Sequence, residues 1–253
     1  MSGDRSDRER YGRSFGSVAE AYARLRPGYP ADVVEFVLGS QTEPYRVLDL
    51  GAGTGRLTEA FLTAGHEVVA LDPAVEMLDE LSARHPVVRA AVGTAESIPL
   101  QDNAVGAVVA GQAAHWFDLP RAAVEIARVL RLGGPLGLIW NLRDERVPWV
   151  AELGRLLERE DNHTRTALEP VALSLGQHLN WTVHQAEFSY SHALSPEEVV
   201  AGLATRSYVV LLEPAERLRL LTAAGQIMAT HPDTAGLDVV EFPYRTFAYR
   251  IAA

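Results

Sequence analysis

The chain has 253 residues, 47% of them apolar and 22% charged, with no cysteine, no lysine and a formal net charge of −10. It is too apolar for a disordered chain and long enough to bury a sizeable core. The missing residue types exclude disulfide frameworks, thiolate metal sites, thiol nucleophiles and Schiff-base lysines, and the acidic balance opposes broad binding to nucleic acid or anionic membrane. No run approaches the roughly 18 apolar residues of a membrane span, and the charged start is no signal peptide. The expectation is a soluble, cytoplasmic protein with neither nucleic acid nor membrane as partner.

Arg5, Arg8, Arg10 and Arg13 alternate with Asp4, Asp7 and Glu9, so residues 1–13 read as a solvated, flexible tail. Ser14 to Leu25 has helical spacing through Phe15, Val18, Ala19 and Tyr22. Arg26-Pro27-Gly28-Tyr29-Pro30 stops it, and Pro30 suits the start of a helix over Ala31–Leu38. From Tyr45 short apolar runs alternate with helical patterns. Strands are expected at Arg46–Leu50, Glu67–Leu71, Val87–Val92, Ala104–Ala110 and Leu136–Trp140. Helices are expected between them at Leu57–Ala64, Ala74–Arg84 and Arg121–Leu130. That rhythm implies βαβ units and a parallel sheet covered on both faces.

After Asn141 the rhythm breaks. Helices are expected at Trp149–Glu160, Pro196–Ala204 and Pro214–Thr230, with alternating strands at Trp181–Tyr190 and Glu241–Ile251. The whole reads as one α/β domain over residues 14–253. Its parts are an N-terminal helical segment (14–40), a core (45–141), and a helical insertion with a C-terminal strand pair (142–253) that adds an antiparallel edge.

The informative segment is Asp49-Leu50-Gly51-Ala52-Gly53-Thr54-Gly55-Arg56. A glycine-rich turn between strand and helix lets the backbone approach a ligand, and the helix start offers free amides. The spacing is G-x-G-x-G; Arg56 stands where a dinucleotide fold would carry its third glycine, and without lysine there is no phosphate-binding loop. Asp72 closes the next strand, twenty-one residues after Gly51. An acid there faces a crevice in which it can accept bonds from two ribose hydroxyls, although capping the following helix is an alternative.

Asp49-x-Gly51-x-Gly53-x-Gly55 with Asp72 resembles the class I S-adenosylmethionine-dependent methyltransferases. Gly93-Thr94-Ala95-Glu96-Ser97-Ile98-Pro99-Leu100 and Leu130-Arg131-Leu132-Gly133-Gly134 resemble later segments of the same fold in the same order. Tyr22 with Arg26–Pro30, Gln112–Asp118 and Phe242-Pro243-Tyr244 are similar to a small-molecule subgroup that includes trans-aconitate methyltransferase-like proteins. The resemblance implies a Rossmann-like, doubly wound sheet of seven mostly parallel strands, with S-adenosyl-L-methionine as cofactor. Gly51, Ala52, Gly53, Thr54 and Gly55, with Asp49 behind them, would pass beneath its methionine portion. Asp72 would hold the ribose, while Pro73, Met77, Thr94, Ala95 and Glu96 would border the adenine. Gln112 would face the sulfonium, and the first helix, with Tyr22 and Arg26, would close over the cofactor.

On the acceptor side, His115 is the candidate general base, because it follows a strand end in the expected cleft. Trp116, Asn141, Arg143 and Tyr208 are candidate contacts to a small-molecule substrate. The histidines show no H-x-x-x-H or H-E-x-x-H pattern, so no metal site is expected. A non-catalytic nucleoside-binding module is the alternative function, and the glycine spacing argues against a nicotinamide oxidoreductase.

Overall fold

A computed structural model of the chain describes residues 25–39, 43–157 and 165–253, the side chains at 165–167 and 207–208 excepted. The expected tail, and all but Leu25 of the expected first helix, lie outside the described residues. The core half runs α1 (Asp32–Leu38), β1 (Arg46–Leu50), α2 (Arg56–Thr63), β2 (Glu67–Asp72), α3 (Val75–Arg84), β3 (Arg89–Val92), β4 (Ala107–Gly111), α4 (Leu119–Val129) and β5 (Leu136–Arg143). The remainder runs α5 (Pro148–Leu157), α6 (Arg165–Leu179), β6 (Thr182–Leu194), α7 (Pro196–Ala204), α8 (Ser207–Val210), α9 (Pro214–Thr230) and β7 (Val240–Ala252).

The strands form one sheet in the order β3-β2-β1-β4-β5-β7-β6. The first five are parallel, and β7 runs antiparallel to both neighbours, one place in from the edge strand β6. Strand order reverses between β1 and β4, so their carboxyl ends diverge and leave a crevice, where ligands of open α/β sheets bind. One face is covered by α4 and α6, through Ala122, Ile126, Leu168, Ala172 and Leu175. The other is covered by α1 and α2, through Val33, Val37, Leu57 and Phe61.

A further apolar cluster lies beyond the parallel strands. β7 pairs with β6 over its full length but reaches β5 only from Tyr244 onward. The surplus is a two-stranded ribbon whose Leu194, Val240, Phe242 and Tyr244 pack with Trp149, Leu153, Leu203 and Met228 of α5, α7 and α9. The insertion is thereby fastened to the sheet through this ribbon. Local chemistry fixes the start of α7: Ser195 Oγ accepts from the Glu198 amide and the Glu198 carboxylate accepts from Ser195 N, a capping box with Pro196 just inside the helix.

Several elements depart from the expected ones: β4 begins at Ala107 rather than Ala104, β6 runs on to Leu194 rather than Tyr190, and α8 was not among them. The third strand begins at Arg89 rather than Val87, because Val88 N bonds His85 O and closes a turn there. Helix α6 was not among the expected elements, and it carries Pro170 and Gly176, both unfavourable in a helix interior. Gly176 has a packing reason: a Cβ there would fall 2.4 Å from Val183 Cγ2, so glycine lets α6 close against β6. No helix among the described residues is long and apolar enough to cross a membrane.

Candidate functional site

The loop from β1 to α2 is shaped by its glycines. Gly51, Gly53 and Gly55 have φ of 69°, 55° and 86°, a left-handed region that costs an L side chain about 1–2 kcal/mol. At Gly51 a Cβ would also fall 2.5 Å from Ala113 Cβ, whereas at Gly53 it would meet nothing within 4 Å. Gly51 is therefore a packing requirement, and Gly53 presents bare backbone to open space. Gly51 N and Ala52 N both donate to Leu71 O, at 2.7 and 3.1 Å, and Gly53 N donates to Asp72 Oδ2 at 2.8 Å. Asp72 Oδ1 accepts from Ala74 N at 2.8 Å, so each oxygen takes one backbone bond and keeps a lone pair for a ligand.

The loop holds two carboxyl groups at unusual protonation energies. Asp49 is fully buried; desolvation lifts its pKa from 3.8 to about 7, opposed by the Thr58 hydroxyl bond at 2.6 Å and assisted by the negative charge of Asp72. Its Oδ1 is buried with no hydrogen-bond partner. Desolvation also raises Asp72, against the bonds from Ala74 and Gly53. A buried acid with an unused oxygen is set to receive a cationic or donor group.

Above the loop opens a cleft of ≈ 620 Å³ of empty space continuous with solvent. Asp49, Gly51, Ala52, Gly53, Thr54 and Arg56 form its floor. Gln112 and Asn141 stand at the ends of β4 and β5, while Arg26, Tyr29, Arg206 and Tyr244 complete the wall. Gln112 has φ 56°, a strained setting for a non-glycine residue, and donates from Nε2 to Asn141 O at 2.7 Å. Asn141 donates to Gly28 O at 2.8 Å and accepts from Thr246 Oγ1 at 2.6 Å, tying the N-terminal segment, β5 and β7 together. Arg26 reaches Thr205 O across the cleft, at 3.4 Å.

On the adenine side, Met77 and Ala95 are buried while Pro73 and Thr94 are exposed. Glu96 accepts from Asp118 N at 2.7 Å and so caps the turn before α4. The loop from Gly93 to Asp102 is clamped by Arg128 of α4, which donates to Ile98 O, Leu100 O and Asp102, while its neighbour Glu125 accepts from Ile98 N.

Other expected residues are not brought to the cleft. Trp140 and Asn141 are successive on β5 and point to opposite faces. Asn141 lines the cleft, whereas His115 Nδ1 accepts from Trp140 Nε1 at 3.3 Å, on the far face. Trp116 is 37% exposed and packs beside His115. Arg143 pairs with Glu145 at 3.4 Å and is not in the cleft wall. Tyr22 and the Tyr208 side chain lie outside the described residues. Conversely, Tyr29, Arg56, Arg206 and Tyr244 line the cleft without having been singled out as site residues. For Tyr244 one signal existed: it ends the Phe242-Pro243-Tyr244 motif.

Residues 48–138 match the model of the family described as "Methyltransferase domain". An uncharacterized methyltransferase of Mycobacterium tuberculosis is 43% identical over 240 residues, covering 94% of each chain. The chain belongs to the class I S-adenosylmethionine-dependent methyltransferases. A fission yeast (Schizosaccharomyces pombe) methyltransferase, also uncharacterized, is 34% identical over 94% of this chain and 96% of its own. Among solved structures, one from Anabaena variabilis, provisionally assigned as a methyltransferase of an antibiotic biosynthesis pathway, superposes with TM-score 0.68. It covers 89% of this chain and 98% of its own at 21% identity, a likeness of fold. The methyltransferase site fits its cofactor on its own geometry. Bare backbone at Gly53, an acid closing β2 and an unused buried carboxylate oxygen at Asp49 suit an extended ligand with ribose hydroxyls and a cationic end.

Proposed function

We propose that this methyltransferase acts on a small molecule enclosed between the glycine loop and the cap. The observation that carries the reading is the composition of the cleft wall. Its floor comes from the cofactor half, and Arg206 and Tyr244 come from the inserted half, so both face one space. Gly51–Gly55, Asp49 and Asp72 would hold S-adenosylmethionine, with Met77 and Ala95 beneath the adenine and Thr94 and Glu96 at its edge. When bound, the cofactor supplies an activated methyl group on a positively charged sulfur.

The chain's own task is to orient the acceptor and exclude water, and orientation can contribute roughly 7–11 kcal/mol toward a barrier. Gln112 is suited to it: its amide nitrogen is held by Asn141 O, and its strained backbone points the residue into the cleft. The N-terminal segment, with Arg26 and Tyr29 in the wall, would act as a lid, fastened through Gly28 to Asn141. The similarity of the quoted motifs to the trans-aconitate methyltransferase-like subgroup and the net charge of −10 both support a small acceptor over a nucleic acid. The single-domain reading of residues 14–253 and a cytoplasmic setting accompany this proposal.

Calorimetry with S-adenosylhomocysteine, followed by isotopic methyl transfer to a pooled set of carboxylic acids, phenols and amines, tests it. Binding of the homocysteine product and label in a small molecule are expected. Preferential binding of NAD would refute the reading, and label appearing only in added RNA or protein would refute the small acceptor.

A further inference from the structure

Gln112 is held in a way that leaves one atom over. It follows the last residue of β4, is half-buried and lines the cleft. Its φ of 56° is uncommon for a residue other than glycine, asparagine or aspartate, and Gln112 N is held there by Ile139 O at 2.9 Å. The side chain is fixed as well. Nε2 donates to the backbone oxygen of Asn141 at 2.7 Å, and a carbonyl has no hydrogen to give, so the amide cannot turn over without losing that bond. Asn141 is itself only 6% exposed and is tied through its side chain to Gly28 O and Thr246 Oγ1.

The atom left over is Oε1. Among the described residues nothing donates to it, yet it is not shut away from solvent. A bare acceptor therefore opens on the cleft beside the carboxyl end of β4, where the strand order reverses. A carboxylate or phenolate brought to it would set oxygen lone pairs against oxygen lone pairs, whereas an N–H or O–H would be bound. An amide oxygen accepts a hydrogen bond but does not take the proton. A nucleophile bonded to it must attack while still carrying its hydrogen. A neutral amine does so through its lone pair; an alcohol or phenol becomes a good nucleophile only on losing that hydrogen.

Resting on the proposed small acceptor, we propose that Gln112 Oε1 receives the N–H of the reacting atom, that the acceptor is a primary or secondary amine, and that the reaction is N-methylation. The nitrogen lone pair forms the bond to the methyl carbon while the carbon–sulfur pair returns to sulfur, leaving a neutral thioether. The hydrogen stays on nitrogen, and the resulting ammonium gives up one proton to water in the open cleft. Positive charge growing on nitrogen strengthens its bond to Oε1, so the contact is worth more in the transition state than in the bound substrate.

The full chain is titrated calorimetrically with S-adenosylhomocysteine and with sinefungin, a cofactor analogue that carries an amine where the transferable methyl stands. Sinefungin should bind on the order of tenfold tighter, as one hydrogen bond to a charged group provides. Gln112→Met keeps the length and removes the acceptor; it should cut that preference to under about threefold while S-adenosylhomocysteine changes by less than about twofold. Gln112→Asn suits the positive φ and withdraws the oxygen by one methylene, and it should act the same way. Equal affinity for the two ligands in the wild-type protein, or a preference that survives both substitutions, would overturn the assignment. So would a substitution that weakens S-adenosylhomocysteine as much as sinefungin, since Oε1 would then serve the cofactor. In the pooled transfer assay the label should sit on nitrogen; label on carboxylic acids or phenols with none on amines would refute the amine acceptor. Failure of S-adenosylhomocysteine itself to bind would instead overturn the methyltransferase reading.

Discussion

Asp49→Asn isolates the stored electrostatic cost of the glycine loop. In the folded protein the Asp49 pKa stands near 7, against 3.8 when exposed. Between those values the folded state binds more protons than the unfolded one. Stability contributed by the neutral acid is therefore complete below about pH 4, falls as pH rises, and is lost once pH passes 7. Integrating the two titrations puts the cost of ionisation at about 2 kcal/mol at pH 5 and about 4 kcal/mol at pH 8. Asparagine keeps the volume and can still accept the Thr58 hydroxyl bond, but does not titrate. The substitution should thus stabilise the protein by about 2–3 kcal/mol more at pH 8 than at pH 5, measured by urea unfolding of both proteins at the two pH values. Because every other ionisable group is common to both, the double difference reports Asp49 together with its coupling to Asp72. Parallel stability curves across that window would refute the argument.

The same acid links cofactor binding to pH. A cation seated against the unused Asp49 oxygen favours the ionised form, so S-adenosylhomocysteine should bind more tightly to the wild-type protein at pH 8 than at pH 6, and this gain should vanish in Asp49→Asn, as calorimetry can read. Gly53→Ala meets no atom within 4 Å, so it should cost only the left-handed backbone penalty of about 1–2 kcal/mol in thermal or urea unfolding, while intrusion into the cleft weakens S-adenosylhomocysteine tenfold or more. Gly51→Ala adds an overlap with Ala113 and should destabilise the fold further. Asn141→Ala removes the partners of Gly28 O and Thr246 Oγ1 and should cost about 2–4 kcal/mol of unfolding free energy. His115→Phe removes the acceptor for Trp140 Nε1 and should lower stability by about 1 kcal/mol while leaving methyl-transfer kcat within threefold; a hundredfold loss with intact cofactor binding would place His115 in the chemistry after all.

The cofactor half was legible because its requirements are local. Three glycines with positive φ within five residues, followed by an acid at the end of the next strand, are demands of backbone geometry, and such demands restrict residue type directly. The parallel strands were legible for a related reason: buried on both faces, they read as continuous apolar runs such as Val47–Leu50 and Ala107–Ala110. Helix α6 was not, because Pro170 and Gly176 argue locally against a helix that tertiary packing on β6 maintains.

The inserted half was less legible for a different reason: its geometry is set by pairing across distance. His115 follows the end of β4, and that position suggested the cleft. One step along β5 divides His115 from Gln112: Trp140, which donates to His115, faces one side of the sheet, while Asn141, which accepts from Gln112, lies at the cleft. Arg206 and Tyr244 stand far apart in the chain and carry no motif that joins them. They meet because β6 and β7 overrun β5 as a ribbon, carrying the cap helices over the carboxyl ends of the parallel strands. The length of that overrun, rather than any residue of the glycine loop, sets where the cap's side chains stand relative to the cofactor. Relatives with the same loop and a ribbon of different length would therefore keep the cofactor and change the acceptor.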